Sequence, residues 1–112
     1  MHDLKTNFDK ILPIVNQTLA DEIDGKGNLQ FYPNPPKLSD AAVITLALLQ
    51  EALSIDSEHW LWSKLQADYS REFPDLPDRS RYNRRRKRLS GWIHQLTKLW
   101  AESLCPHEDT FL

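Results

Sequence analysis

Seven of the ten residues from Arg79 to Arg88 are basic, and no acid lies among them. Cations at this density on one segment repel one another, and a polyanion relieves that repulsion. DNA presents phosphates at regular spacing. Each phosphate neutralised releases condensed counterion, which gives an affinity that weakens as salt rises. An arginine fork can also read guanine in the major groove, and Asn83, inside the run, has the geometry to read adenine. The candidate contact residues are therefore Arg79, Arg81, Asn83, Arg84, Arg85, Lys87 and Arg88. A solvated basic face, or one that pairs with the acidic first part of the same chain, is the plainer alternative. RNA fits less well, because nothing here resembles the aromatic sheet or glycine loop of common RNA modules.

Other reactive residue types carry weaker signals. Cys105 with His107, Glu108 and Asp109 could be imagined around a metal, but adjacent residues do not converge easily on one ion and no partner motif exists elsewhere. Glu72, Asp75 and Asp78 read better as helix terminators and caps than as an acid/base pair. His59 and His94 have no recognisable catalytic partner, and Ser57 and Ser80 read as caps, not nucleophiles. Of Trp60, Trp62, Trp92 and Trp100, three fall at helical core spacing, so packing is favoured over base stacking, with Trp62 the least certain. No cofactor or metal site is expected.

The elements that must position the basic run read as helices. Leu4, Phe8, Ile11, Leu12, Val15 and Leu19 mark one face of a first helix, with Asp3 placed to cap it. Pro13 predicts a kink or a break inside that helix. A loop at 24–28 and a proline-stiffened connector at 32–36 follow. A second helix begins at Ser39 or Asp40 and reaches about Leu53. It is apolar nearly all round, as befits the central helix of a bundle. Asp56 or Ser57 caps a third helix, with Trp60, Leu61, Leu65, Tyr69 and Phe73 as its buried stripe. Pro74 and Pro77 break the chain and Asp78 caps a fourth helix, expected to run from about Arg79 to Leu104. On it Tyr82, Leu89, Ile93, Leu96, Trp100 and Leu104 share one face. Arg81, Arg84, Lys87 and Arg88 point away, and Arg85 and Arg86 flank the apolar face with Arg86 nearer to it. Gly91 is a local weakness. The fold class expected is all-α: a compact bundle of four or five helices with a helix-turn-helix-like arrangement and a long basic last helix.

The bulk numbers agree with a single domain. The chain has 112 residues, 40% hydrophobic and 27% charged, the balance of a soluble, cored protein. Its 4 Trp, 3 Tyr and 4 Phe supply large side chains for that core. The single cysteine excludes an internal disulfide. No apolar run resembles a signal peptide or a membrane span, so the expected location is cytoplasmic, with no membrane partner. The net charge of −2 hides an asymmetry: residues 1–78 hold 6 Lys/Arg against 13 Asp/Glu (6 − 13 = −7), and residues 79–112 hold 8 against 3 (8 − 3 = +5). An anionic partner for one region only is the implication.

The strings "SIDSEHWLWSKL" and "FPDLPDRSRYNRRRKRL", with Lys37-Leu38-Ser39-Asp40 ahead of them, carry a resemblance. The order of a proline-rich connector, an apolar helix, Leu53–Glu58, Phe73-Pro74 and Ser80–Arg86 resembles the N-terminal region of DDE-type transposases of insertion sequence family 982. The resemblance runs from about Phe8 to Leu112, and Arg79–Arg85 is its most specific piece. It implies a domain that binds DNA at the terminal inverted repeats of a mobile element. In that family the catalytic part follows a segment like Asp109–Leu112, and no residue here matches its three metal-binding carboxylates. The resemblance thus implies a truncated transposase that binds DNA without cutting it, not an enzyme.

Two readings follow. In the first, the basic ridge recognises DNA. In the second, the last helix is a multimerisation surface, with Tyr82, Leu89, Leu96 and Leu99 at near-heptad spacing zipping against a second copy as a homodimer or against full-length transposase. Only the first explains the arginines.

Overall fold

Helix starts and stops follow the capping residues closely. The computed structural model describes residues 4–29 and 32–104, and in them five helices follow one another: α1 (Leu4–Thr18), α2 (Asp40–Ala52), α3 (Glu58–Asp68), α4 (Arg79–Arg88) and α5 (Ser90–Leu104). No strand occurs among the described residues, so the fold is an all-α bundle. Asp3, the side chains of Trp100 and Leu104, and the Cys105–Asp109 group lie outside the described residues.

Three helices begin on a side-chain cap. Ser39 Oγ accepts from the Ala42 N–H at 3.1 Å, Ser57 Oγ from Trp60 N–H at 3.1 Å, and Asp78 Oδ1 from Arg81 N–H at 2.8 Å. Each accepts one of the donors that a helix start leaves without an intrahelical partner. α2 closes with the two crossed bonds of a Schellman turn, Ile55 N–H to Gln50 O and Ser54 N–H to Glu51 O, with Ser54 at φ 56° where glycine is usual.

α2 is the centre of the molecule. Every residue from Asp40 to Leu49 is buried, and the helix packs against α1, α4 and α5. A helix apolar on all sides has no face suited to water, so these neighbours cover it. α1 contributes Leu4, Phe8 and Val15, and Phe8 meets Phe73 edge-on at 4.9 Å. Of the kink or break expected at Pro13, the break does not occur: α1 continues through the proline as one helix. Core contacts at Phe8 and Val15 hold the helix on both sides of the proline, and Pro13 itself is exposed.

On α3 the buried residues are Leu61, Trp62 and Leu65. Trp60, placed on the buried stripe by its spacing, is 51% exposed, while Trp62 is buried. The two indoles lie on opposite flanks of Leu61, and α4 covers the Trp62 flank. Trp62 stacks on Tyr82 with centroids 4.3 Å apart, and its Nε1 donates to Pro77 O at 3.1 Å.

The single long helix expected over 79–104 is two helices. Leu89 turns out of helical conformation at φ −95°, ψ 8°, closing α4, and its carbonyl then accepts from Ile93 N–H to open α5. The Ser90-Gly91 pair at the junction is the composition that kinks helices. The basic helix is therefore ten residues long and ends before the apolar helix α5 begins.

Candidate nucleic-acid interface

α4 is attached to the rest of the molecule on three sides. Its apolar side is Tyr82 and, just past its end, Leu89, both fully buried. Burial pushes the Tyr82 hydroxyl well above its ordinary pKa, with Arg86 opposing and Glu58 assisting. That hydroxyl has no hydrogen-bond partner among the described residues.

The second side is a buried ion pair. Arg85 Nη2 donates to Asp40 Oδ1 at 2.7 Å and Arg85 Nη1 to Leu38 O at 2.7 Å. Asp40 is wholly buried and also accepts from Leu29 N–H at 2.9 Å and from the Tyr32 hydroxyl at 2.7 Å. Burial and this bond to Asp40 raise the Tyr32 pKa. The backbone N–H of Asp40 donates to Asn28 Oδ1 at 2.9 Å, which ties in the 24–28 loop. In that loop Gly27, at φ +83°, passes so near that a Cβ would lie 3.3 Å from Ser39 Cβ. Helical spacing places Arg86 nearer the core than Arg85 and leaves Arg85 among the candidate contact residues. The structure reverses that order: Arg85 is only 8% exposed and reaches down to the start of α2.

Glu58, at the start of α3, holds the third side. Its carboxylate accepts from Asn83 Nδ2 at 3.0 and 3.1 Å, pairs with Arg86 at 3.0 Å and lies 3.8 Å from Arg79. Asn83, the candidate reader of adenine, is thus committed to Glu58, and Arg79 is half exposed beside it.

Four cations remain on the outer face: Arg81, Arg84, Lys87 and Arg88, all exposed. With Arg85 they line an open groove of about 470 Å³. Arg81 comes within 3.8 Å of Asp78, but both side chains are more than half exposed, and such a pair neutralises little. No described carboxylate lies within 4.0 Å of Arg84, Lys87 or Arg88. Like-charge neighbours on a helix cost only about 0.2–0.5 kcal/mol each. Three anchored sides easily hold the helix against that repulsion.

Sequence reasoning missed Asp40 and Glu58 as the anions that hold α4. Asp40 was legible only as a first-turn residue. The available signal was that Ser39 already supplies the cap, which leaves a carboxylate at the head of an otherwise apolar helix without a role.

The heptad-like set does not form an exposed seam. Tyr82, Leu89 and Leu96 are at most 2% exposed and fill the chain's own core, and only Leu99 faces water. The α3–α4 connector, residues 69–78, is longer than the turn of about three or four residues in a helix-turn-helix. Among the described residues no group of three His, Cys, Asp or Glu converges as a metal site, and no helix is long and apolar enough to cross a membrane. No family model, curated protein or solved structure matches the chain.

Proposed function

We propose that the chain is a DNA-binding module that docks α4 on duplex DNA, its target being the terminal inverted repeats of a mobile element. The observation that carries the reading is the division of labour within one helix. Arg85, Arg86 and Asn83 are spent on carboxylates of α2 and α3, while Arg81, Arg84, Lys87 and Arg88 face water together, with Arg81 alone near a carboxylate, the exposed Asp78. A rigidly held row of arginines is suited to phosphates and to guanine edges. The proline connector, the Ser39-Asp40 start and the Arg79–Arg85 string of the transposase resemblance support the choice of target. Recognition alone is assigned to α4, with no cutting or joining step.

The test is fluorescence-anisotropy binding of the purified chain to element ends and to scrambled duplex across a salt series. Selective, salt-sensitive binding is expected, with loss of affinity in the double variant Arg84→Glu/Arg88→Glu. Unchanged affinity in that variant, with the helical circular-dichroism signal intact, would remove α4 as the DNA surface.

A further inference from the structure

A second cleft, of about 470 Å³, adjoins the groove over α4, and Arg81 and Arg85 line both. The other walls of that cleft are the 35–38 stretch of the proline connector and the 75–77 stretch ahead of α4. Lys37 is exposed there, with no described carboxylate within 4.0 Å of its ammonium. One acid, Asp75, shares the cleft.

The connector that carries Lys37 is held in place. Pro33, Pro35 and Pro36 restrict its backbone. The Leu38 carbonyl is gripped by Arg85 at 2.7 Å, the Tyr32 hydroxyl by Asp40 at 2.7 Å, and the Arg85 guanidinium sits 5.7 Å from the Tyr32 ring centroid. The ion pair that anchors α4 thus also anchors the connector, and it holds the backbone next to Lys37 against α4. A helix that enters the major groove has a phosphate strand along each flank, so a cation on a held backbone beyond its end can reach backbone phosphates.

We infer that the DNA surface extends from Arg88 through Arg84 and Arg81 to Lys37, so that the proline connector is a second, sequence-independent arm on the phosphate backbone. This rests on the α4 reading above. Asp75 opposes the approach of phosphate in the same cleft and moderates the affinity of that arm.

The experiment is the salt-series anisotropy titration of the full chain with duplex DNA, comparing Lys37→Gln and Lys37→Glu with Lys10→Gln and Lys10→Glu. Lys10 is an exposed lysine of α1 that lines neither cleft. Expected results are a several-fold loss for Lys37→Glu beyond that of Lys10→Glu, and a salt slope reduced by about one for Lys37→Gln but unchanged for Lys10→Gln. Asp75→Asn tightens binding. If the Lys37 variants track the Lys10 variants while Arg84→Glu/Arg88→Glu abolishes binding, the interface stops at α4 and the extension is wrong. If Arg84→Glu/Arg88→Glu still binds, the α4 reading itself fails and the extension falls with it. Circular dichroism confirms that each variant keeps its helices.

Discussion

Arg84 and Arg85 are neighbours of one chemical type, yet Arg84 faces water while Arg85 is buried against Asp40. Moving both charges of such a pair out of water is expensive, so the pair fixes where α4 docks more than it adds net stability. Removing one partner is different, because the other charge stays buried alone. Asp40→Asn is expected to destabilise the fold by about 3–5 kcal/mol in urea unfolding, with Asp40→Asn/Arg85→Met recovering much of the loss. Tyr82 is the opposite case. A buried hydroxyl without a partner costs about 1–3 kcal/mol, so Tyr82→Phe is expected to be neutral or stabilising by about 1 kcal/mol. The raised pKa of Tyr82 sets a sign as well: the unfolded chain loses this proton near its ordinary 10.0, the folded chain only at higher pH. Stability present at neutral pH is therefore lost as pH rises past about 10, and Tyr82→Phe loses less in alkaline melts. The arginine run was plain in the sequence. Which arginine is buried was not, because helical spacing puts Arg86 nearer the apolar stripe, and only the places of Asp40 and Glu58 turn Arg85 inward instead.

At the scale of elements, local chemistry was readable and continuity was not. Ser39, Ser57 and Asp78 cap the helices they precede because each has an oxygen within reach of an N–H three residues on. The break at Leu89 does not interrupt the apolar spacing, since Leu89, Ile93 and Leu96 remain helically related across it. Gly91 beside that break has open space where a Cβ would stand, and its φ is not positive. Gly91→Ala is expected to stabilise the chain by about 0.5–1 kcal/mol in thermal or urea unfolding. Gly27→Ala is expected to destabilise it by more than about 1 kcal/mol, because its φ of +83° is strained for alanine and Ser39 lies close by.

Over the whole molecule, the charge imbalance of −7 against +5 is partly consumed inside the fold. Asp40 and Glu58, from the acidic part, neutralise Arg85 and Arg86 from the basic part. The plainer alternative, a basic face paired with the acidic half, is thus true of part of the run. If the four outward cations of α4 each meet one phosphate, the slope of log K against log salt is expected near −4, becoming steeper by about one with Lys37. A slope near −6 would mean that all seven basic residues reach DNA. Affinity would then fall by about two orders of magnitude between about 50 and 200 mM salt in the first case, and by nearly four in the second.

The all-helical class, the central place of α2, the approximate starts of α2 and α3, the Asp78 cap of α4 and the concentration of cations on α4 were legible in the sequence alone. Those properties depend on residue type and on spacing along one segment. Tertiary packing settles which tryptophan is covered, that Asn83 and Arg85 turn inward, and that Lys37 shares a cleft with Arg81. Each of those depends on a carboxylate, a ring or a connector brought in from another segment, and no pattern within one helix encodes its place.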